Sequence, residues 1–255
     1  MILANETNLE GKAALVTGAS SGIGRAIAIA LGQEGVRVAL CARRQERLEE
    51  VAAKIEQSGG EAWIETADFF QVNEIDAAVR GAADHWGGSL DILINSAGIA
   101  RQSKLIDGDT QDWREMLDVN VLGLAVASRE ALKYFPESGG DIVNLGSMSG
   151  HRVPGKGGLY AATKFAVRAM TEGLRQELRL ENNLTRVSSI SPGFVETELL
   201  DEYFRSGGGG ATRYDAIKYA ILKPEEIAAI TLRQLTLPRS AEITDVLVRP
   251  TAQGT

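Results

Sequence analysis

Two side chains that could perform acid–base chemistry stand four residues apart in the segment GGLYAATKFAV. On a helix, Tyr160 and Lys164 would lie on the same face, one turn apart. A free phenol has a pKa of about 10 and is a poor base near neutrality, whereas a neighbouring cation favours the phenolate and lowers that pKa. The pair therefore fits either a proton-transferring site or a solvated helix face, and the rest of the chain must decide.

A glycine-rich turn, VTGASSGIG, is the second feature with chemical meaning. It follows an apolar segment and opens a helical pattern, with glycines in TGxxxGxG spacing. Glycines allow a tight turn and a close approach of the backbone to a pyrophosphate, which then lies at the positive helix N-terminus. A glycine-rich turn without a ligand is the alternative. The predicted dinucleotide contacts in this turn are Gly18, Ser20, Ser21, Gly22, Ile23 and Gly24.

The segment ALCARRQ is placed to choose between the two nicotinamide cofactors. It holds no acid where NAD enzymes carry a carboxylate for the ribose 2′-hydroxyl. It offers Arg43 and Arg44 instead, and a guanidinium binds a 2′-phosphate in bidentate fashion. The segment therefore favours NADP(H). Arg43 is the expected anchor, and Arg44 is either a second contact or a surface residue at the start of a helix.

Turn residues also follow the later apolar segments, in TADFF, NSAG and SPGFVET. If those segments are parallel strands, their carboxyl ends meet at one crevice, where ligands bind in open α/β sheets. Turn chemistry alone also favours Asp, Asn, Gly and Pro. The cofactor contacts predicted here are Asp68, Phe69, Asn95, Ala97, Gly98, Pro192, Gly193, Val195 and Thr197.

The elements that must position these residues alternate between short apolar strands and helical periodicity along the whole chain. This pattern predicts a Rossmann-like, doubly wound α/β fold, a parallel sheet of about seven strands with helices on both faces. Long helices are expected over 110–135 and 158–183. No linker divides the chain, so 1–255 is predicted to be a single dinucleotide-binding and catalytic domain. The segment RSGGGGATRYD predicts a flexible substrate lid around 198–222, with a passive loop as the alternative.

Composition and charge exclude several other classes of protein. The 255 residues carry a net charge of −7, which argues against a general nucleic-acid or anionic-membrane binder. Cys41 is the only cysteine, so no intrachain disulfide is possible and a cytoplasmic location is expected. Neither a signal peptide nor a membrane-spanning helix is expected. The two histidines are far apart and CxxC and HExxH are missing, so no metal site is expected.

As a set, these motifs resemble the short-chain dehydrogenase/reductase family, in its single-domain branch. The resemblance covers essentially the whole chain: TGxxxGxG at 17–24, NSAG at 95–98, Asn120 in DVNVLG, Ser147 in NLGS, YAATK at 160–164 and SPGFVET at 191–197. The segments SMSGHRV, MTEGLRQELR and ITDVLVRPTAQ further resemble the family's member-eleven type of dehydrogenase/reductase.

The resemblance implies a catalytic tetrad of Asn120, Ser147, Tyr160 and Lys164. Tyr160 would transfer the proton, and Ser147 would hydrogen-bond the substrate oxygen as an oxyanion-hole donor does. Lys164 would lower the tyrosine pKa and bind the nicotinamide ribose hydroxyls. In the family, the residue matching Asn120 interrupts its helix and holds a water that relays protons to the lysine. From the residues alone, a capping or core-satisfied asparagine is the alternative.

The member-eleven resemblance implies NADPH-dependent reduction of bulky ketones. Residues after the fifth and sixth strands, mainly apolar and aromatic, should line a pocket for such a substrate. The predicted substrate contacts are Ser147, Ser149, His151, Phe194 and Tyr203, with Met148 and Phe204 in the same wall. The predicted function is NADP(H)-dependent interconversion of a ketone or aldehyde and an alcohol on a mainly hydrophobic substrate. The alternatives are a hydroxy-acid or serine-type short-chain dehydrogenase and a non-enzymatic dinucleotide-binding pseudoenzyme.

Two departures from the family pattern bear on stability and cofactor choice. Ser96 stands where the family often has an asparagine that supports the central sheet. Ser21 stands where some NADP-preferring members carry a basic residue, which leaves most of the 2′-phosphate binding to Arg43. The apolar faces of VLGLAVASREALKYF and FAVRAMTEGLRQEL predict a subunit interface, and the resemblance implies a homotetramer or homodimer.

Overall fold

The computed structural model describes residues 6–207 and 212–254. Seven parallel strands form one sheet in the order β3-β2-β1-β4-β5-β6-β7, which confirms the predicted Rossmann-like fold. The strands are β1 (Ala13–Thr17), β2 (Arg37–Ala42), β3 (Glu61–Thr66), β4 (Ile92–Asn95), β5 (Asp141–Leu145), β6 (Arg186–Pro192) and β7 (Asp245–Val248). The order reverses between β1 and β4, which creates a crevice at their carboxyl ends.

The helices in the described ranges follow the strands in the predicted alternation. They are α1 (Gly22–Gln33), α2 (Gln45–Gln57), α3 (Val72–His85), α4 (Thr110–Leu117), α5 (Leu124–Ala131), α6 (Gly158–Leu180), α7 (Glu198–Ser206), α8 (Arg213–Ala216) and α9 (Pro224–Leu235). Helices α1, α2 and α9 pack on one face of the sheet, and α3, α5 and α6 pack on the other. None of them is long and apolar enough to cross a membrane.

The burial of the strands explains their sequences. Every residue of β1, β4, β5 and β6 is buried, as expected for parallel strands covered on both faces. The edge strands β3 and β7 alternate between exposed and half-buried residues for much of their length. Complete burial therefore marks the central strands, although β5 and β6 also bury polar side chains such as Asn144 and Ser189.

The single helix predicted over 110–135 is wrong. A π-helical turn, Asp118–Gly123, separates α4 from α5, as the family resemblance implied. The turn contains Asn120, whose side chain hydrogen-bonds the backbone of Ile99 instead of facing solvent. Because π-helical turns are rare and concentrate at functional sites, this local widening marks the segment as more than a packing element.

A buried chain of polar side chains fastens the centre of the sheet to the helices. Asn95 Nδ2 donates to Ser128 Oγ and to Asn144 Oδ1, both at 2.9 Å. Asn144 Nδ2 donates in turn to Thr171 Oγ1 at 2.9 Å. These bonds join β4 and β5 to α5 and α6. The sheet support that the departure at Ser96 put in question is therefore provided by Asn95.

The segment predicted to be a flexible lid is described in part. Residues 198–206 form α7 and 213–216 form α8, and Leu222 pairs with Val195 through an isolated bridge. The prediction of flexibility was based on the four glycines Gly207–Gly210. Gly207 caps the end of α7, and Gly208–Gly210 lie outside the described residues.

Candidate active site

A cavity of about 840 Å³ opens at the carboxyl ends of the strands. Its walls are the turn between β1 and α1, the segments after β2, β3, β4, β5 and β6, and helix α7. This is the crevice in which open α/β sheets bind ligands. The cavity extends from Arg43 and Arg44 at one end to Tyr160 and Tyr203 at the other.

The glycine turn leaves no room for side chains and presents backbone to the cavity. Gly18 has a φ of +66°, and a Cβ there would lie 2.8 Å from the amide nitrogen of Ala97. A Cβ on Gly24 would lie 2.6 Å from the carbonyl oxygen of Gly18. Ser21 precedes α1 without a side-chain cap bond, so the first N–H groups of the helix lack a side-chain acceptor. Such a terminus suits an anionic group, and the turn fits the pyrophosphate of a dinucleotide.

The two arginines after β2 make different contacts from those predicted, because Arg43 was the expected anchor. Arg44, and not Arg43, reaches the glycine turn: its Nη2 donates to Ser20 Oγ at 3.0 Å and to Ser21 Oγ at 2.9 Å. Its Nη1 lies 2.9 Å from a carboxylate oxygen of Glu198, at the start of α7. The Arg43 guanidinium lies 5.7 Å from the ring centroid of Phe70. Both arginines line the cavity, as do Asp68 and Glu198, so this end offers two guanidinium groups beside two carboxylates.

Most of the predicted strand-end residues line the cavity. These are Asp68, Phe69, Ala97, Gly98, Pro192, Gly193, Val195 and Thr197, together with Ser20, Ser21, Gly22 and Ile23 of the glycine turn. Asn95 and Gly24 do not line it. The Asn95 prediction is corrected because its side chain points into the protein, where it bonds to Ser128 and Asn144. Gly24 is packed beneath the turn, against the Gly18 carbonyl.

Ser147, Tyr160 and Lys164 meet at the other end of the cavity. Tyr160 and Lys164 are 8% and 7% exposed, which excludes the solvated helix face. Lys164 Nζ donates to the carbonyl oxygen of Leu145 at 2.7 Å and lies 6.0 Å from the centroid of the Tyr160 ring. Ser147 begins a single 3₁₀ turn after β5, where its Oγ accepts from the amide of Ser149.

Burial sets the proton affinities of the pair. It raises the pKa of Tyr160 to about 12, although the Ser147 hydroxyl acts in the opposite direction. It lowers the pKa of Lys164 to about 8, because an ammonium loses hydration in the interior. The tyrosine pKa therefore lies above its usual value instead of below it, because burial is the largest effect on the phenol. The phenol stays protonated near neutral pH, in the form that donates a proton.

Both polar atoms of the Asn120 side chain form hydrogen bonds. Its Oδ1 accepts from the amide of Ile99 at 2.9 Å, and its Nδ2 donates to the Ile99 carbonyl at 2.9 Å and to Thr163 Oγ1 at 3.2 Å. A Cβ on Gly98 would lie 3.3 Å from Asn120 Oδ1 and 4.0 Å from Lys164 Nζ. The π-helical turn, the loop after β4 and helix α6 therefore converge beside the lysine.

The wall next to Tyr160 is aromatic. The rings of Tyr160 and Tyr203 are 5.8 Å apart, and Tyr203 contacts Phe204, which in turn lies 6.2 Å from Phe194. These residues line the cavity with Met148 and Ser149, as predicted for substrate contacts. Helix α7 brings Tyr203 and Phe204 over the cavity, so the substrate end is largely apolar.

His151 does not line this cavity, which corrects its prediction as a substrate contact. Its Nε2 lies 3.4 Å from an Asp245 carboxylate oxygen on β7, and Arg168 pairs with the same carboxylate. Burial and the charge of Arg168 lower the pKa of His151, while Asp245 opposes them. The imidazole Nε2 makes no hydrogen bond within the described residues, so His151 lies beside this carboxylate without forming a charged pair near neutral pH.

Sequence reasoning missed residues that reach the cavity from a distance. Gln253 lines it, and its Oε1 accepts from the amide of Phe194 at 3.1 Å, which fixes the segment after β6. Arg101, Arg152 and Lys156 also line the cavity. Arg152 and Gln253 lie in the segments SMSGHRV and ITDVLVRPTAQ that carry the family resemblance, and this was the signal that could have found them.

The burial of Lys164 predicts that this residue destabilises the fold. Lys164→Met should raise the melting temperature at pH 7 by about 4–8 °C, because the folded state no longer holds an ammonium in the interior. The lysine pKa is 10.5 when unperturbed and about 8 in the fold. Between about pH 8 and 10.5 the unfolded state binds more protons than the folded state, so the free energy of unfolding of the wild type rises with pH. The difference in melting temperature between wild type and Lys164→Met should therefore narrow.

Thermal denaturation monitored by circular dichroism from pH 7 to 10.5 tests this prediction. The matched control is Lys54→Met, which removes an exposed lysine from the last turn of α2 and should change the melting temperature little. A Lys164→Met variant that melts below wild type at pH 7 contradicts the prediction.

The comparisons with known proteins agree with this geometry. The family model described as short chain dehydrogenase matches residues 12–206. Dehydrogenase/reductase SDR family member 11 of Bos taurus is 42% identical over 253 residues, which cover 95% of this chain and 97% of the bovine chain.

Two solved structures share the fold over nearly their whole length. The closed form of a serine dehydrogenase complexed with NADP+ has a TM-score of 0.85 and 31% identity, and the match covers 95% of this chain and 96% of that one. An alcohol dehydrogenase from the archaeon Thermococcus sibiricus, complexed with 5-hydroxy-NADP, has a TM-score of 0.83 and 29% identity, with 96% and 99% covered. Since the family model spans most of the chain and the relatives match almost all of it, this protein belongs to the short-chain dehydrogenase family of oxidoreductases.

Proposed function

We propose that the protein is an NADP(H)-dependent carbonyl reductase that interconverts a ketone or aldehyde and an alcohol on a mainly hydrophobic substrate. The observation that carries this proposal is the meeting of Ser147, Tyr160 and Lys164 beside the aromatic wall of one cavity. The 42% identity to a dehydrogenase/reductase of the member-eleven type supports it.

The chemistry of the proposed reaction is divided between the cofactor and the chain. The bound dinucleotide supplies or accepts the hydride. The Tyr160 hydroxyl gives its proton to the oxygen of the reduced carbonyl, and the Ser147 hydroxyl donates a hydrogen bond to the same oxygen. Burial keeps the phenol protonated, which suits reduction near neutral pH, whereas alcohol oxidation requires the phenolate and should therefore accelerate as the pH rises.

Lys164 and Asn120 complete the proposed tetrad. The Lys164 ammonium would bind the ribose hydroxyls of a nicotinamide cofactor, and it would balance negative charge that develops on Tyr160. Asn120 carries its relay role by family resemblance only, because its side-chain atoms bond to Ile99 and Thr163 in this structure. Its local effect is to hold the loop after β4 against α6.

A ketone panel tests the activity. Consumption of NADPH, followed by absorbance, should be faster with bulky aryl ketones than cofactor reduction is with L-serine or 3-hydroxybutyrate. Tyr160→Phe should lower kcat by about 10²–10⁴-fold, because the general acid is lost, while NADPH still binds. The matched control, Tyr134→Phe, removes a hydroxyl that lies outside the cavity and should leave kcat unchanged.

The remaining outcomes separate the alternative functions. Faster oxidation of L-serine or of the 3-hydroxy acid identifies a hydroxy-acid or serine-type dehydrogenase, which the serine dehydrogenase structure favours. NADPH binding without turnover of any compound identifies a pseudoenzyme. Near-wild-type activity of Tyr160→Phe contradicts the proposed role of the phenol.

We also propose that the cofactor is NADP(H) rather than NAD(H). Arg43 and Arg44 line the end of the cavity where the adenosine ribose would lie, and Arg44 already bonds to Ser20 and Ser21. Two guanidinium groups and two hydroxyls form a donor set that suits a phosphate. Both solved structures above are complexes with NADP or a derivative of it.

Cofactor kinetics test this choice. Arg43→Ala and Arg44→Ala should each raise the KM for NADPH by roughly tenfold and leave the KM for NADH within about twofold, because only NADPH carries the 2′-phosphate. The control Arg80→Ala removes an exposed arginine of α3. An unchanged NADPH-to-NADH preference in both cavity variants rejects the assignment.

The segment 198–222 is proposed as the substrate lid of a single catalytic domain, 1–255. Tyr203 and Phe204 on α7 cover the substrate end. The backbone N–H of Gln102 donates to Ser206 Oγ at 3.0 Å. That bond joins the end of α7 to the loop after β4. Opening of the lid would require this contact to break.

A homotetramer is proposed for the assembly, with a homodimer as the smaller alternative. Leu117, Leu122 and Phe165 are 44%, 48% and 40% exposed, and they lie on α4, the π-helical turn and α6. Light scattering should give about four times the chain mass of 27.3 kDa, because these apolar side chains need cover. A monomer at micromolar concentration contradicts the proposal.

A further inference from the structure

The acidic side chains of the lid at the substrate end of the cavity all have cationic partners. Asp201 and Glu202 on α7 line this end. Asp201 pairs with Arg213 at 3.2 Å, and Glu202 pairs with Arg101 at 3.6 Å and Arg205 at 2.9 Å. Arg213 and Arg101 are shared with further carboxylates, so these cations are already engaged.

Two cations on the opposite rim have no such partner. Arg152 and Lys156 line the cavity, and neither forms an ion pair with a carboxylate in residues 6–207 and 212–254. The segments 1–5 and 208–211 and residue 255, which lie outside those ranges, contain no acidic side chain. In a chain with a net charge of −7, this rim is a local excess of positive charge.

The position of this rim relates it to the reacting groups. Both residues belong to the segment between the 3₁₀ turn that begins after Ser147 and the helix that carries Tyr160. Arg152 is also near the segment after α8, where burial raises the pKa of Tyr219 and the charge of Arg152 opposes that effect.

Apolar side chains line the cavity together with these cations and the catalytic tyrosine. Met148, Pro154 and Tyr203 line the same cavity, and Met148 and Tyr203 are buried or half-buried. A ligand that reaches from Tyr160 to the entrance would cross this apolar surface first and meet the cations last. Such a ligand should therefore carry an apolar segment next to its reacting group and an anionic group at its far end.

We propose that Arg152 and Lys156 bind a carboxylate on the substrate, which an apolar spacer separates from the reacting carbonyl. A guanidinium binds a carboxylate in bidentate fashion, and an ammonium adds a second point charge. This proposal rests on the proposed carbonyl reductase function and names its substrate class as amphipathic keto acids. The spacer distinguishes them from serine and small hydroxy acids, in which the carboxylate lies next to or one carbon from the reacting centre.

A chain-length series of aryl keto acids tests the proposal. The compounds are benzoylformate, 3-benzoylpropionate, 4-benzoylbutyrate and 5-benzoylvalerate, each paired with its methyl ester, and NADPH consumption gives kcat and KM. Wild-type protein should prefer one of the longer acids over its ester by at least about fivefold in kcat/KM, the effect expected of a partly exposed ion pair. The preference should shrink as ionic strength rises, because salt screens exposed charges.

Variants assign the preference to the two cations. In the double variant R152Q/K156Q, the KM for the preferred acid should rise by roughly tenfold, because each partly exposed ion pair contributes about fivefold or less. The kcat for the acid and the kinetics of the ester should stay nearly unchanged. The matched control R80Q/K54Q removes the same net charge from exposed helix positions outside the cavity. It should leave the acid-to-ester ratio at the wild-type value.

The outcomes separate this proposal from the proposed function. Equal kinetics for acids and esters in wild type, or equal losses for both in R152Q/K156Q, overturn the carboxylate site while carbonyl reduction stands. If neither acids, esters nor acetophenone are reduced, the proposed function fails. Calorimetric titration of the same acids in the presence of NADP+ then still decides the site: binding to wild type but not to the double variant supports it, and equal binding overturns it.

Discussion

The hydrogen bond from Lys164 Nζ to the Leu145 carbonyl is the constraint on which the active site depends. A buried ammonium must donate its protons, and here the acceptor is the last residue of β5, two residues before Ser147. The bond therefore fixes the register between the end of this strand and helix α6, on which Tyr160 lies one turn earlier. The burial that makes this bond necessary also lowers the lysine pKa and raises that of the tyrosine.

The π-helical turn extends this arrangement to the neighbouring strand. With one wider turn between α4 and α5, the amide of Asn120 reaches the backbone of Ile99 and the hydroxyl of Thr163 at the same time. A regular α-helix through these residues would carry Asn120 in a different direction. The widened turn thus joins the loop after β4 to α6, and the buried bonds of Asn95 and Asn144 hold the strands beneath it.

The cavity combines two charged ends with an apolar middle. The adenosine end gathers Arg43 and Arg44 around the glycine turn, and the entrance at the other end carries the Arg152 and Lys156 rim. Between them the aromatic side chains of α7 exclude water from the phenol. In an acidic protein such local groups of cations attract anionic ligands. Arg44 shares its charge with Glu198, whereas Arg152 and Lys156 have no carboxylate partner in the described residues.

Local patterns in the sequence determined the alternation of strands and helices, the glycine turn, and the Tyr160–Lys164 spacing, because periodicity and turn chemistry act over a few residues. The family resemblance added Ser147 and the interruption at Asn120, which helical periodicity alone had concealed. Only the tertiary structure decided that Asn95 points inward, that His151 lies beside Asp245, that Arg44 rather than Arg43 bonds to the glycine turn, and that Gln253 supports the segment after β6. It also reversed the expected direction of the tyrosine pKa. Each of these features depends on contacts between segments far apart in the chain and on the burial that such contacts create. No short stretch of sequence encodes the contacts or the burial.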